Sequence, residues 1–549
     1  MSRKLVPLAD SLSEASRLYS SKTAVVHGER HLTYSELNQE VERFARGLMS
    51  TGIGKGDRVI VWMPNSIEWN IVFPALAKIG AITVPVSTRY RSYEMEYIIE
   101  RSDAVAVIMT DASLGIPFLD MIAEMVPEAA SSAPGHIRSE RFPSLRNLII
   151  SGERGLAGSY SMEDIDGAAS ATDPEDLAER NSQVAFEDAF MMLFTSGTTG
   201  RPKGCLIPQS AFCYHAAHYA SVLEWSEEDV ALVIMPYFHI FGSQGHMAAS
   251  FLRGSRQIIM DAFDAGEALR LIQQEKVTLF SGAPTLFISC LNHPDFSVAA
   301  VSTLRAGAMG GSPCPPEIMQ RVMDSEKGMG MDIRVVYGLS EASGTVSLTE
   351  KDDALERRVS TVGKPVPGLE VKVVDTTKGN ELGPGEQGEL WVRSPHNMIE
   401  YHKDPESTAQ RLGGGWLHTN DLVTLDEDGY ISITGRLSDM ILVGGFNTYP
   451  TEIEQFLYTH PKVHDVSIIG VPDERMGEVV MAYIIPKEGT DPTAAEIVDF
   501  CQGKLANFKI PRYVEFVDSF PLTGSGKVQK FIQRKMATEK FDNPSGVNP

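Results

Sequence analysis

One stretch decides the fold of this chain, and it reads Leu193-Phe194-Thr195-Ser196-Gly197-Thr198-Thr199-Gly200-Arg201-Pro202-Lys203-Gly204. It combines glycines, hydroxyl residues and one lysine directly after an apolar run. Glycine has no Cβ, so its backbone can approach a ligand closely, and successive N–H groups can form a nest that favours anions. The hydroxyls add donors and Lys203 adds a positive charge. The stretch therefore predicts a loop that cradles a polyphosphate.

The residues before the loop favour this interpretation over a flexible Ser/Thr/Gly linker. The apolar run Phe190-Met191-Met192-Leu193-Phe194 is typical of a buried strand, and a strand that ends in a glycine loop is a common ligand position in α/β proteins. The spacing is not that of the usual nucleotide loop, G-x-x-x-x-G-K-[ST], because Lys203 is followed by Gly204. A P-loop NTPase is therefore a poor alternative.

Length and composition exclude several classes of protein. The chain has 549 residues, which is too many for one hydrophobic core, and 43% of them are hydrophobic. Its net charge of −23 argues against a nucleic-acid or anionic-membrane partner. The five cysteines form no C-x-x-C pair, which indicates reduced thiols rather than a disulfide frame or metal site. No apolar run is long enough to span a membrane, and the N-terminus does not resemble a secretory signal, so we expect a cytoplasmic protein.

Strand-like and helix-like segments alternate along the first half of the chain, which predicts an α/β fold whose parallel or mixed sheets are covered by helices. Residues 365–435 are richer in glycine, proline and short strands and predict a β-rich subdomain. The remainder predicts a small α+β unit. We expect an N-terminal domain over residues 1–437 and a C-terminal domain over residues 438–549. The predicted segments include strands Arg58–Met63, Ile82–Val86, Ala104–Met109, Val230–Met235, Gln257–Met260 and Val277–Phe280, and helices from Ser66 to Lys78, over Ala265–Gln274 and over Pro450–Tyr458.

Five further motifs follow the phosphate loop, and their order is more specific than any one of them. They are Pro236-Tyr237-Phe238-His239-Ile240-Phe241-Gly242, Tyr337-Gly338-Leu339-Ser340-Glu341, Trp416-Leu417-His418-Thr419-Asn420-Asp421, Gly435-Arg436-Leu437-Ser438-Asp439 with Gly444-Gly445-Phe446-Asn447-Thr448-Tyr449-Pro450, and Pro521-Leu522-Thr523-Gly524-Ser525-Gly526-Lys527-Val528. Over essentially its whole length the chain resembles the adenylate-forming superfamily: acyl-CoA synthetases, peptide-synthetase adenylation domains and beetle luciferases. Its motif sequences are most similar to those of medium-chain, aryl or steroid-fragment acyl-CoA ligases.

The resemblance implies a large N-terminal domain and a small mobile C-terminal domain. It also implies a reaction in which a carboxylic acid and ATP form an acyl-adenylate and pyrophosphate, after which CoA takes the acyl group. ATP, Mg²⁺ and coenzyme A are the expected cofactors. An anionic carboxylate that attacks an anionic phosphate requires positioning and positive charge. By resemblance Lys527 bridges the α-phosphate and the carboxylate, although a lone lysine is normally solvated.

The same resemblance implies roles for the other motif residues. Glu341 would hold Mg²⁺, with Thr198 assisting, since Mg²⁺ prefers oxygen ligands. The β- and γ-phosphates would lie against Thr195, Ser196, Gly197, Thr198, Thr199, Gly200 and Lys203. The rest of ATP would contact Gly310, Gly311 and Ser312 at the adenine pocket, Tyr337 and Gly338 at the adenine face, Ser340 at the α-phosphate, and Asp421 with Arg436 at the ribose; Gly444 and Gly445 would border the pantetheine channel. Alone, Asp421 and Arg436 are equally consistent with a structural ion pair.

His239 is expected to position the carboxylate, although a histidine between aromatic residues is more often packed core. Amino-acid-activating relatives carry an Asp in this motif, and this chain has none, so amino-acid activation is disfavoured. Asn420 replaces a usual Gly but tolerates left-handed geometry. Ser438 replaces a usual hinge Asp or Lys, and a hinge needs only to absorb a backbone rotation. Arg475, Lys509 and Arg512 are candidates for the CoA 3′-phosphate.

The acid and the final acceptor stay open. Small residues near the expected acyl pocket favour a bulky or ring-bearing acid over acetate; they are Gly242, Ser243, Gly245, Gly282 and Ala283. The acceptor could instead be an amine or a carrier-protein thiol. A non-catalytic nucleotide-binding regulator is the alternative of another class. The partners expected are the carboxylic acid and CoA, without nucleic acid or a transmembrane segment, and a homodimer is left open.

Overall fold

The computed structural model describes residues 5–195, 202–312, 314–444, 446–522 and 528–542. The strands of this part are, in chain order, β1 Thr23–His27, β2 Arg30–Thr33, β3 Arg58–Trp62, β4 Ile82–Pro85, β5 Ala106–Thr110, β6 Asn147–Ser151, β7 Ser159–Ser161, β8 Ala189–Thr195, β9 Lys203–Pro208, β10 Val230–Val233, β11 Arg256–Ile259, β12 Leu279–Phe280, β13 Ala306–Gly310, β14 Asp332–Leu339, β15 Gly344–Leu348, β16 Lys364–Pro365, β17 Glu370–Val374, β18 Gly388–Arg393, β19 Leu417–Leu425, β20 Ile431–Arg436, β21 Ile441–Val443, β22 Phe446–Thr448, β23 Val463–Asp473, β24 Gly477–Pro486 and β25 Tyr513–Phe516.

The helices alternate with the strands through the first half of the chain. In the same described ranges they are α1 Leu8–Leu18, α2 Tyr34–Ser50, α3 Ile67–Ile79, α4 Ser92–Ser102, α5 Phe118–Met125, α6 Met162–Ala168, α7 Pro174–Ser182, α8 Gln209–Val222, α9 Ile240–Gly242, α10 Ala249–Arg253, α11 Ala265–Glu275, α12 Pro284–Leu291, α13 Pro316–Met323, α14 Leu355–Ser360, α15 Pro405–Arg411, α16 Pro450–Tyr458, α17 Ala494–Cys501 and α18 Lys530–Asp542. A π-helical stretch, Ser243–Ala248, joins α9 to α10. No helix of the part described is both long and apolar enough to cross a membrane.

Helix α3 shows how local sequence sets these elements. The Ser66 side chain accepts a hydrogen bond from the Trp69 N–H and caps the first turn. The helix ends at Gly80, whose φ of 76° is the left-handed geometry that glycine adopts without cost. Both ends match the prediction from sequence. Nearly every residue between them is buried, so α3 passes through the core rather than along the surface.

Two sheets form the larger unit of the chain. The first runs β7-β6-β5-β3-β4-β8-β9 and is parallel except for the final pair, β8 with β9. The second runs β16-β15-β14-β13-β12-β10-β11-β1-β2, with a parallel centre and antiparallel edges. Helices cover both sheets around shared apolar clusters. This confirms the predicted α/β class with mixed sheets, and it places the carboxyl ends of several parallel strands at the motif residues.

Contacts divide the chain into two compact units, Met1–Leu369 with Arg393–Leu417, and Glu370–Val392 with His418–Pro549. The second unit holds the four-stranded sheet β17-β18-β19-β20, whose last pair is antiparallel, and a second sheet, β22-β21-β24-β23, in which β25 pairs with β24. Helix α16 follows the predicted range 450–458, with Pro450 at its first turn. The predicted β-rich and α+β segments therefore both appear, and contacts group them together. The predicted domain boundary between residues 437 and 438 stays a prediction.

Candidate active site

The segment Tyr337–Glu341 forms the return between two antiparallel strands. Strand β14 ends at Leu339, residues Ser340–Ala342 make one 3-10 turn, and β15 runs back along β14. A Cβ on Gly338 would lie 2.1 Å from the Gly344 carbonyl oxygen, a distance that only displacement of the backbone could relieve. The glycine of this motif is therefore required by the close approach of the two strands, and it fixes where Glu341 stands.

Glu341 is a buried carboxylate with two oriented partners. It is 8% exposed. The Tyr401 hydroxyl donates to Glu341 Oε1 at 2.7 Å, and Arg411 Nη2 lies 3.6 Å from the same oxygen. Burial and the Glu341 charge raise the pKa of Tyr401, so the phenol remains a donor at neutral pH. The arrangement supplies a desolvated, fixed oxygen ligand, which suits a hard cation.

Lys203 lies near the same tyrosine, Tyr401. Thr195 and Lys203 pair at the ends of β8 and β9, so the loop between them begins and returns at one place. The Lys203 Nζ donates to Ser407 Oγ at 2.6 Å, and it lies 5.5 Å from the centre of the Tyr401 ring. The structure therefore brings Thr195, Lys203 and the Glu341 partner Tyr401 together.

Several predicted residues lie outside the described residues, and their roles stay predictions. These are Ser196, Gly197, Thr198, Thr199, Gly200, Gly445 and Lys527.

His239 caps the short helix α9. Its Nδ1 accepts a hydrogen bond from the Phe241 N–H at 3.2 Å, so a neutral ring carries its hydrogen on Nε2. The strand end before it is held by Asn65, whose Oδ1 accepts from the Tyr237 N–H at 2.7 Å and whose amide donates to the Met235 carbonyl at 3.1 Å. Sequence reasoning missed Asn65. The available signal was its place in the Pro64-Asn65 turn directly after β3.

The segment Gly310-Gly311-Ser312 lies beside the Tyr337 strand, because Gly310 pairs with Val336 across β13 and β14. A Cβ on Gly310 would stand 2.4 Å from the Val336 carbonyl oxygen. Gly311 has a φ of 85°, and a Cβ there would meet no atom within 4 Å. One glycine is thus needed for strand packing and the next for a turn that faces open space. The predicted adenine-pocket residues therefore adjoin Tyr337 and Gly338.

The small residues near the expected acyl pocket do not measure its size. A Cβ on Gly242 would lie 2.1 Å from the Pro236 carbonyl oxygen, one on Gly245 would lie 3.0 Å from the Phe241 ring, and one on Gly282 would lie 2.5 Å from Leu286 Cδ1. Protein atoms already fill the space beside these three glycines. Contacts within the protein account for these three glycines, so they give no separate support for a bulky acid, which stays a prediction.

In the second unit, Asp421 and Arg436 face each other across β19 and β20. The Arg436 Nε donates to Asp421 Oδ1 at 2.7 Å, and Asp421 is 2% exposed while Arg436 is half exposed. Asn420, before Asp421, has a φ of 59°, the left-handed geometry that asparagine tolerates. Gly444 also has a positive φ, 58°, and a Cβ there would lie 2.4 Å from Met476 Cε.

Comparison with known proteins decides what these motifs belong to. A family model described as "AMP-binding enzyme" matches residues 12–402, and one described as "AMP-binding enzyme C-terminal domain" matches residues 452–527. The chain belongs to the AMP-binding enzyme family. The resemblance to adenylate-forming enzymes predicted from the six motifs is confirmed.

Relatives of this family member match over nearly their full length. YngI of Bacillus subtilis (strain 168), assigned by name to the acyl-CoA synthetases, is 41% identical over 97% of both chains. The Danio rerio medium-chain acyl-CoA ligase ACSF2, mitochondrial, is 37% identical over 92% of this chain and 84% of its own. Among solved structures, the anthranilate CoA ligase AuaEII in complex with anthranoyl-AMP has a TM-score of 0.84 at 28% identity, covering 97% of this chain and 98% of its own.

A second solved structure, ATP-bound MatB from Rhodopseudomonas palustris, has a TM-score of 0.83 at 26% identity and covers 98% of this chain and 100% of its own. The expected activity is confirmed at the level of reaction class: the AMP-binding enzyme is an ATP-dependent acid–CoA ligase that works through an acyl-adenylate. ATP and CoA are its substrates, together with a carboxylic acid.

Proposed function

We propose that this enzyme activates a medium-chain or aryl carboxylic acid, with the described motif residues in the roles that the family resemblance implies. The observation that carries the assignment of roles is the buried Glu341, oriented by the Tyr401 hydroxyl at 2.7 Å. A carboxylate is costly to bury unless it is hydrogen-bonded and given a counter-charge. The free-energy cost of burying the Glu341 carboxylate is offset when a cation bound to phosphate supplies a counter-charge.

Mg²⁺ is part of the proposal. The donor set fits it, because Glu341 offers a carboxylate oxygen and the sequence places the Thr198 hydroxyl in the adjacent phosphate loop. When bound, the ion would neutralise charge on the phosphates of ATP. The chain's own residues do the rest: Glu341 orients the complex, Lys203 adds positive charge, and Ser340 offers a hydroxyl at the α-phosphate.

Lys527 is proposed to bridge the α-phosphate and the carboxylate, in a C-terminal domain that begins near Ser438. Asp421 and Arg436 are proposed to take the ribose hydroxyls. His239, with its hydrogen on Nε2, is proposed to position the acid rather than to act as a base. Two of the CoA candidates already have carboxylate partners, since Lys509 Nζ lies 2.6 Å from Glu452 and Arg512 Nη1 lies 2.9 Å from Asp473, and Arg475 stays a candidate.

The acid class rests on relatives rather than on pocket geometry. Two of the relatives above are named for a medium-chain acyl-CoA ligase and an anthranilate CoA ligase. A pyrophosphate-release assay with straight-chain acids of increasing length and with benzoate-type acids tests the class. The proposal expects the highest kcat/KM with a medium-chain or aryl acid. Preference for acetate would contradict it.

An amine acceptor is the second candidate, since the amide bond synthetase McbA has a TM-score of 0.81 at 26% identity. The same assay with CoA, simple amines and a carrier-protein thiol separates the acceptors, and the proposal expects turnover with CoA.

The proposal also includes a cytoplasmic location and a homodimeric assembly. YngI comes from a bacterium, whereas ACSF2 is named as mitochondrial. Light scattering on the purified chain measures the assembly.

A further inference from the structure

We propose that Glu389 is a positioning residue for Asp421, and that through Asn420 it sets the discrimination between ribose and deoxyribose nucleotides. This inference rests on the proposed role of Asp421 toward the ribose hydroxyls. It concerns strands β18 and β19, which lie side by side in the four-stranded sheet. Neither the six motifs nor the family resemblance pointed to Glu389.

Asp421 follows a residue in an uncommon conformation. Asn420 has a φ of 59°, and left-handed backbone is rare for a residue with a Cβ unless its surroundings impose it. The direction of the next side chain depends on that conformation, because one flipped φ redirects the chain that follows. A contact that fixes the conformation of Asn420 therefore also fixes the direction of the Asp421 side chain.

Glu389 makes the contact that fixes Asn420. Its Oε1 accepts the Asn420 N–H at 2.8 Å, and its Oε2 accepts the Trp391 indole N–H at 2.8 Å. The residue is 8% exposed. Both oxygens of a buried anion are thus used on neutral donors, and charge-assisted hydrogen bonds of this kind are stronger than neutral ones. The Trp391 ring is itself fixed by stacking on His418, with ring centres 3.9 Å apart.

Thr419 completes the frame on the other side of Asn420. Its hydroxyl accepts the Asp421 N–H at 3.1 Å and donates to the Leu390 carbonyl at 2.7 Å. The backbone N–H groups of Asn420 and Asp421 are therefore both tied to β18 through side chains. Glu389 fixes the left-handed Asn420, and Thr419 fixes the backbone of Asp421.

The test compares ATP with 2′-deoxyATP, which lacks one of the two hydroxyls that Asp421 is proposed to accept. The readouts are kcat/KM in pyrophosphate release and affinity by isothermal titration with each nucleotide. Glu389→Gln places an amide donor against one of the two N–H groups. We expect this variant to lose at least fivefold of the preference for ATP, mostly through KM for ATP, with a much smaller change for 2′-deoxyATP.

A rescue separates positioning from general damage. Glycine adopts positive φ freely, so the double variant Glu389→Gln with Asn420→Gly should recover at least half of the lost preference. Glu386→Gln is the matched control, because Glu386 lies in the same segment and accepts from the Gly383 N–H at 2.8 Å; its preference should match the wild type. If Glu389→Gln fails to fold, Asn420→Ala against Asn420→Gly decides: loss with alanine and retention with glycine supports the proposal.

Two results overturn different claims. If Asp421→Ala abolishes the preference for ATP while Glu389→Gln retains it, the positioning role is refuted and the ribose role stands. If Asp421→Ala itself keeps the full preference, the proposed ribose role fails, and the further inference fails with it. Equal loss in the Asn420→Ala and Asn420→Gly variants would also refute the positioning role.

Discussion

Glu341 shows what a single residue can and cannot reveal in sequence. Its motif marked it as a candidate ligand, and the structure gives it a buried position with the Tyr401 hydroxyl and the Arg411 guanidinium at one oxygen. Those partners stand 60 and 70 positions away in the chain, and no local pattern connects them to Glu341. Asn420 is the opposite case, because the glycine usual at this place in the family and the tolerance of asparagine for left-handed geometry are both visible in sequence, and its φ is 59°.

Replacing Tyr401 by Phe removes the donor to Glu341 and leaves the ring in place. We expect the free energy of unfolding to fall by about 2 kcal/mol without nucleotide, because a buried carboxylate loses a hydrogen bond. We also expect the Mg²⁺ concentration for half-maximal pyrophosphate release to rise roughly tenfold, since a misdirected ligand weakens metal binding. Urea denaturation and Mg²⁺ titration measure the two effects.

The matched control is Tyr93→Phe, because Tyr93 is 76% exposed. Both quantities should stay at the wild-type values in that variant. An unchanged Mg²⁺ requirement in Tyr401→Phe would contradict the metal-orienting role of the Glu341–Tyr401 pair.

At the scale of elements, helices and buried strands followed from sequence better than returns and irregular turns did. Helix α3 and helix α16 have the predicted ends, because caps and prolines mark them locally. Strand β15 was not predicted. It lies close to β14 because Gly338 has no Cβ to meet the Gly344 carbonyl oxygen, and this closeness is a property of the strand pair. The π-helical stretch Ser243–Ala248 has no local signature either.

The strand return that carries Glu341 is sensitive to one added methyl group. A Cβ on Gly338 would lie 2.1 Å from a backbone oxygen, so Gly338→Ala must displace β14 or β15. We expect at least a hundredfold loss of adenylation and a loss of stability of about 2–3 kcal/mol. Gly167→Ala is the control, because a Cβ there would meet nothing within 4 Å and alanine favours the helix. Equal effects in the two variants would contradict this account of the motif glycine.

Buried histidines on α8 and on the π-helical stretch make stability depend on pH. Burial lowers the pKa of His215 to about 3, with His396 and His218 adding to the effect, and burial lowers the pKa of His246 to about 4. In the unfolded chain these rings titrate near 6.5. Below that pH the unfolded state binds protons that the folded state does not. The free energy of unfolding therefore falls as the pH drops from about 6.5 toward 4.

Each such histidine contributes up to ~1.4 kcal/mol per pH unit in that window. Urea denaturation between pH 7.5 and 5 measures the slope, and His246→Gln should reduce it by about that amount whatever its effect at pH 7.5. A variant with the wild-type slope would show that His246 does not titrate as its burial requires.

At the scale of the whole molecule, the order of six motifs predicted the family, and each motif alone was weak. Strand–helix alternation predicted the α/β class. What sequence could not supply was the grouping of segments: contacts join Glu370–Val392 with His418–Pro549, although a different segment separates them in the chain. Acid specificity was also beyond the sequence, because the glycines taken as pocket walls stand close to other protein atoms and so do not report the size of a pocket.

Substitution of Lys527 tests whether this residue serves adenylate formation only and not transfer of the acyl group to CoA. Replacing it by Ala should abolish pyrophosphate release from ATP and acid, because the variant loses the positive charge proposed for the α-phosphate and the carboxylate. Transfer to CoA from a supplied acyl-adenylate should stay within about threefold of the wild-type rate. Equal loss of both half-reactions would contradict the assigned role, and so would normal pyrophosphate release.

The most direct measurement is the identity of the products. The purified chain is incubated with ATP, Mg²⁺, CoA and a pool of short, medium-chain and aryl acids, and the mixture is resolved by mass spectrometry. The account predicts an acyl-CoA together with AMP and pyrophosphate, and an acyl-adenylate when CoA is omitted. Formation of ADP and phosphate, or of no nucleotide product with any acid in the pool, would contradict it.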